Sequence, residues 1–303
     1  MKLLIAYDGS DCAGAAIEDL SRAGLPEATE ALIVTVTETW LPKDLKEESF
    51  GDTLGFASSE TFKQMRAAAF EKIDEGEKLA ESASLRVSQK FPAWQVRHKA
   101  VGGFPENEIV SEANKYKPDL IVIGSHGRGG VGRFVFGSVS LKVLSEAACP
   151  VRVTHGPNAR IAEDDSPLRL VVAIDGSSDS RQAVKAVANR SWLPETSVRL
   201  LTAIEPSVLL QELPQAEKVR KEAAEKLKKM GLHVSCAEQK GRAKSVIVEE
   251  AEKWGADAIF IGAKGHRMLE RVLLGSVSYA VAARAHCSVE VVRGAVNEKH
   301  TEL

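Results

Sequence analysis

"DLIVIGSHGRGGVGRFVFGSVS", residues 119–140, and its second copy "DAIFIGAKGHRMLERVLLGSVS", residues 257–278, decide the fold of this chain. Each opens with a short apolar run rich in β-branched residues, the pattern of a buried strand. Each then passes a glycine-bearing loop and ends in a segment with helical spacing. Both copies keep Gly, two residues, Gly, nine residues, Gly, Ser: Gly124, Gly127, Gly137 and Ser138 in one, Gly262, Gly265, Gly275 and Ser276 in the other. The residues between differ, so the spacing itself is what the copies share.

The repetition extends outward. "LLIAYDGS" (3–10) returns as "LVVAIDGS" (170–177), and "CPVRVTHG" (149–156) returns as "CSVEVVRG" (287–294). The later pairs share an offset of 138 residues and the first pair an offset of 167, so the first copy holds 29 extra residues before Gly102. Units this long are duplicated domains and not solenoid repeats. Strand and helix patterns alternate in each, with five strands per unit. That predicts an α/β fold of two tandem doubly wound, mostly parallel five-stranded sheets with helices on both faces, related by a pseudo-two-fold axis. The boundaries expected are 1–155, a polar linker at 156–168, 169–294 and a tail at 295–303.

Composition narrows the function classes. The 303 residues are 44% apolar and 27% charged, with a formal net charge of -2. This balance offers no general attraction to nucleic acid or to an anionic membrane. No apolar run approaches the ~18 residues of a membrane span. The opening "MKLLIAYDGS" reads as a first strand and not as a signal peptide. Four cysteines without an export signal fit a cytoplasmic protein with reduced thiols. Cys149 and Cys287 are equivalent in the repeat and read as buried structural residues. No histidine pair has zinc spacing with cysteine, and no nucleophile–base arrangement can be inferred from spacing, so no metal or catalytic residue is assigned.

The literal G-x-G-x-x-G at 127–132 fits a dinucleotide site poorly. The next strand, "VRVT", ends in no acidic residue for a ribose, and the second copy loses the pattern. The Walker pattern is absent. The shared spacing instead puts a glycine at the carboxyl end of a parallel strand, a second glycine in the loop to let the backbone approach a ligand, and Gly-Ser at a helix start. Free N–H groups at a helix start favour an anion. Loop cations stand nearby: Arg128 and Arg133 in the first copy, and Lys264, His266, Arg267 and Arg271 in the second.

The order of elements and the G-x2-G-x9-G-S spacing resemble the universal stress protein family in its tandem form, over about 3–155 and 168–294. In that family the spacing marks members that bind ATP. The resemblance implies a first site of Ala6, Asp8, Val36, Gly124, Gly127, Gly137, Ser138, Val139 and Ser140, with Arg128 beside it. It implies a second of Ala173, Asp175, Ala203, Gly262, Gly265, Gly275, Ser276, Val277 and Ser278. It implies ATP or a related adenine nucleotide, with or without magnesium, and a regulatory role in stress with at most slow hydrolysis. The alternatives are an adaptor with partly vestigial sites acting through protein partners, and a nucleotidyl- or phosphotransferase on the same sheet.

Three further expectations concern shape. The stretch 41–60 is a candidate lid over the first site. Gly137→Val is expected to block that site with little loss of fold. The two halves are expected to pair through "VRVT" (151–154) and "VEVV" (289–292), as single-domain members of the resembled family do between chains. At the 138 offset Arg152 matches Glu290, so pairing within the chain sets opposite charges together, provided both lie near the axis and do not point to solvent. Reversing both charges is then expected to be nearly neutral.

Overall fold

The computed structural model describes residues 1–39, 59–127, 136–156, 166–205, 213–265 and 274–294. The first half runs β1 (Lys2–Ala6), α1 (Asp11–Glu18), β2 (Glu30–Thr37), α2 (Ser59–Lys90), β3 (Gln95–Gly102), α3 (Pro105–Tyr116), β4 (Leu120–Gly124), α4 (Ser138–Glu146) and β5 (Val151–Thr154). The second repeats it as β6 (Arg169–Ala173), α5 (Ser178–Ala188), β7 (Ser197–Ile204), α6 (Leu213–Lys229), β8 (His233–Lys240), α7 (Ala243–Trp254), β9 (Ala258–Gly262), α8 (Ser276–Arg284) and β10 (Ser288–Val292). Helix α2, with 32 residues against 17 in α6, takes up part of the extra chain in the first copy. The lid expectation falls, except for its last two residues, outside the described residues, as do Arg128, Arg133, His266, Arg267 and Arg271.

Ten strands form one sheet in the order β3-β2-β1-β4-β5-β10-β9-β6-β7-β8. Within each half all pairs are parallel; β5 and β10 join the halves as an antiparallel pair. The expected pair of sheets is therefore one continuous sheet, closed edge to edge at the pseudo-two-fold axis. Alternation along the strands sorts the core. On one face Leu4, Ile121, Val151 and Val153 join Val171, Ile259, Val289 and Val291 in a single core that crosses the axis under α3, α4, α7 and α8. On the other face the cores stay separate. Leu3, Ile5, Ile17 and Ile33 pack in the first half, and Leu170, Val172, Val184 and Phe260 in the second. A period of two along buried strands requires this division.

Between those separate cores lies a group of charges. Arg152 pairs with Glu290 in register across β5 and β10, and both are fully buried. The strand pairing expected from sequence is thus present, and neither residue points to solvent. Arg152 Nη1 stands 3.5 Å from Glu290 Oε2, and Arg152 Nε donates to Asp19 at 2.6 Å. Arg190 forks onto both oxygens of Glu290 at 2.8 and 2.6 Å. The line Asp19–Arg152–Glu290–Arg190 alternates in sign, with the outer members supplied just past the ends of α1 and α5. Burial opposes the charge on Arg152, but Asp19 and Glu290 outweigh it and hold its pKa above the usual value. The expectation of a neutral double charge reversal is corrected here. Reversing the inner pair would set a glutamate at position 152 against Asp19 and an arginine at position 290 against Arg190.

Further contacts close the seam. Arg22 pairs with Asp257 at 2.8 Å. Trp192 covers Gly24, where an added Cβ would lie 2.9 Å from the indole. Arg293 donates to the Leu144 and Ala147 carbonyls at the end of α4. Its counterpart in the repeat, His155, meets the Cys287 carbonyl through Nδ1 at 3.2 Å, beyond the end of α8. A cation or N–H donor at a helix C-terminus satisfies carbonyls that the helix leaves open.

Candidate functional site

The strand order 3-2-1-4-5 in each half reverses direction between its first and fourth strands. Open α/β sheets place a ligand crevice at the carboxyl edge of such a switch point. In the second half a cavity of about 480 Å³ lies there. All nine residues expected at the second site line it: Ala173, Asp175, Ala203, Gly262, Gly265, Gly275, Ser276, Val277 and Ser278. The first half brings together the same elements.

The glycines owe their place to the protein's own packing. A Cβ on Gly124 would lie 2.8 Å from the backbone of Cys12 and Ala13, and one on Gly262 would lie 2.7 Å from that of Asp179. These two glycines let the first turn of α1 and of α5 sit against the strand end. A Cβ on Gly127 would stand 2.5 Å from Asp8 Oδ2, and one on Gly265 would stand 2.8 Å from Asp175 Oδ2. The loop thus folds onto an aspartate, where the sequence suggested space cleared for a ligand. Asp8 Oδ1 accepts from the Ser10 N–H at 3.0 Å; Asp175 Oδ1 accepts from the Ser177 N–H at 2.9 Å and its hydroxyl at 2.6 Å.

The starts of α5, α7 and α8 line the second cavity, and those of α5 and α8, like those of α1 and α4 in the first half, are treated differently. Ser10 and Ser177 cap α1 and α5 by accepting from Ala13 N and Ser180 N. Helices α4 and α8 begin after Gly137 and Gly275 and have no side-chain cap. The N–H groups of Ser138, Val139 and Ser140, and of Ser276, Val277 and Ser278, are thus outside their helices' own ladders. The glycine N–H groups anchor the loop, Gly137 to the Ser125 carbonyl at 2.9 Å and Gly275 to that of Ala263 at 2.8 Å. Ser140 and Ser278 are buried. Ser140 donates to the Gly124 carbonyl at 2.7 Å, and Ser278 reaches those of Ala263 and Gly275 at 2.8 and 2.9 Å. Their hydroxyls brace the helix start, whereas Ser138 and Ser276 are exposed. A Cβ on Gly137 would press at 3.2 Å on Ser125 and His126, so Gly137→Val disturbs the loop as well as the site.

Sequence reasoning missed Glu205, Arg242 and Lys244, which also line the second cavity. The available signal was their place after the second and third strands of the half, whose carboxyl ends share this edge. Burial raises the Cys149 thiol to about 11 and the Cys287 thiol to about 12, so neither is a thiolate at neutral pH. Among the described residues no group of His, Cys, Asp and Glu is placed to hold a metal, and no helix is long and apolar enough to cross a membrane.

Fold and site define a tandem α/β protein with a switch point in each half of one sheet and a cavity at the second. The universal stress protein family model matches residues 1–155 and again 168–293, so the chain belongs to that family as a two-domain member, with its stress-response role. A universal stress protein of Mycobacterium tuberculosis, Rv2005c, is 27% identical over 300 residues, covering 94% of this chain and 92% of its own. One from Methanocaldococcus jannaschii, MJ0531, is 35% identical over 156 residues, covering 52% of this chain and 82% of its own. The crystal structure of a universal stress protein from Archaeoglobus fulgidus shares the fold, with a TM-score of 0.59 at 20% identity over 96% of this chain and 98% of that one.

Proposed function

We propose that each half binds an adenine nucleotide, ATP in the first place, and that the protein acts by binding and not by fast turnover. The observation that carries this reading is the uncapped start of α8, opening into a cavity lined by every residue of the repeated spacing. The aligned peptide dipoles and open N–H groups of such a start favour phosphate. Ser276 N, Val277 N and the Ser276 hydroxyl would hold the phosphates, with Lys264 as a point charge beside them. Ala203, Leu201 and Ile247 supply an apolar wall at the other side, suited to a base. In the first half Ser138, Val139, Asp8 and Val36 would take the corresponding parts. Magnesium would accompany the phosphates without a protein cage of its own.

The test is an acid at the first helical position. Ser138→Glu and Ser276→Glu put a carboxylate where the phosphate would lie, and an acid there suits the helix dipole, so the fold should persist. Calorimetry with ATP should show each variant losing one site and the double variant losing both. Unchanged ATP affinity in the double variant would sink the assignment. A parent protein that binds no nucleotide would favour the adaptor reading.

A further inference from the structure

The two halves differ in charge at one corresponding pair of positions. Gly103 and Gly241 hold equivalent places after β3 and β8: each has a φ of +140°, and each donates its N–H at 3.0 Å, to Thr37 and Ile204 respectively. The residues after the two glycines therefore correspond one to one. The first half continues Phe104, Pro105, Glu106; the second continues Arg242, Ala243, Lys244. Phe104 and Arg242 are both exposed and Lys244 is half-buried, and Arg242 and Lys244 line the second cavity. Neither of these two side chains makes a hydrogen bond or an ion pair with a described residue. The nearby acids are already engaged: Glu205 accepts from the Ala243 N–H at 2.7 Å, and Asp175 accepts from Ser177.

Helix α7 lies beside α8, and both begin at the same sheet edge. Packed helices run about 8–10 Å apart, so Arg242 and Lys244 stand about one helix spacing from the α8 start. A ribose carrying its 5′-phosphates at α8 directs its 2′ and 3′ oxygens away from that end. Long cationic side chains cover the remaining distance. Arginine forks onto phosphate oxygens, and lysine adds a mobile charge.

We infer that the second cavity selects an adenine nucleotide carrying a further phosphate on its 2′ or 3′ oxygen, with Arg242 and Lys244 as the selecting residues, and that the first site, with Phe104 and Glu106, does not. This rests on the reading that α8 receives the 5′-phosphates. The probes are AMP, adenosine 3′,5′-bisphosphate and adenosine 2′,5′-bisphosphate, which share the 5′ group. They are titrated calorimetrically into the full chain carrying Ser138→Glu, so that the second site alone reports. One bisphosphate should bind at least about tenfold tighter than AMP, the factor that one charge-assisted hydrogen bond carries. The variant R242F/K244E, which imports the first half's residues, should lose that preference, with the affinity for the preferred bisphosphate falling at least about tenfold further than that for AMP. The milder R242Q/K244Q should do the same, and thermal melts establish that each variant is folded. Equal binding of all three probes, or a preference that survives in both variants, overturns the inference and leaves the nucleotide reading standing. No binding of any probe, in a protein that also ignores ATP, overturns both.

Discussion

Reversing both charges at the seam, R152E/E290R, separates two views of how the halves are joined. If Arg152 and Glu290 were an isolated cross-strand pair, the double reversal would restore what R152E alone removes. The structure says otherwise, because each inner residue also holds an outer one. Arg152 Nε lies 2.6 Å from Asp19, and Arg190 lies 2.6 Å from Glu290, with all four side chains at most 13% exposed. The double variant keeps the central attraction, breaks both outer pairs and places like charges at each end. Breaking one buried pair costs about 3–5 kcal/mol, so two cost about 6–10 kcal/mol. Total stability for a folded protein is only about 5–15 kcal/mol. R152E alone also breaks two pairs, so the expected outcome is that R152E/E290R stays several kcal/mol below the parent and does not regain its stability, with failure of the halves to dock. Urea denaturation monitored by circular dichroism, with size-exclusion chromatography for docking, reads this out. Recovery of the double variant to within about 1 kcal/mol of the parent, at an unchanged slope, would refute the four-residue account. The charges also reject pairing of β5 with β5 or β10 with β10 between chains, since like charges would then meet. They do not reject a reciprocal swap, in which Arg152 still meets Glu290.

Other outcomes rest on single contacts. Burial lowers the His155 pKa to about 4 from 6.5, so the folded state favours the neutral ring; His126 and His286 nearby act in the same direction. A depressed folded pKa gives stability that is complete above pH 6.5 and is lost as pH falls toward 4, by about 3 kcal/mol at most. His155→Gln should flatten that part of the stability–pH curve; an unchanged slope between pH 6.5 and 4 would remove His155 from the acid response. Gly265→Ala forces Asp175 to move and should cost about 1–3 kcal/mol while weakening ATP more than tenfold, checked by denaturation and calorimetry together. Ser177→Ala removes the cap of α5 and a partner of Asp175, and should cost about 1 kcal/mol in urea melts, with the second site affected and the first not.

Much of the architecture could be read from the chain because the physical constraint was local. The run "LIVIG" must be a buried strand, and Pro105 at a helix start suits α3, which begins there. The offset of 138 residues even set Arg152 opposite Glu290. Burial of that pair could not be read. A charged residue alternating with valine in a short strand reads as a solvent-facing position. The neighbours that hold this pair inside, Asp19 and Arg190, are 133 and 100 residues away in sequence from the strand residues they meet. The glycines stand out in the sequence by their spacing, but the contacts that need them cannot be read there. Their missing Cβ atoms make room for Asp8, Asp175 and the helix turns at Cys12 and Asp179, which only the packed fold reveals. Arg242 and Lys244 lacked any repeated signature, since their counterparts are Phe104 and Glu106.

If the uncapped helix starts at the two switch points receive the phosphates of an adenine nucleotide, blocking both must abolish binding. Isothermal titration of the full chain with ATP, beside the S138E/S276E variant at the same ionic strength, tests this most directly. We expect two sites per chain in the parent, none in the variant, and equal thermal stability of both without ligand. ATP binding of the same affinity and stoichiometry in the variant would contradict the assignment.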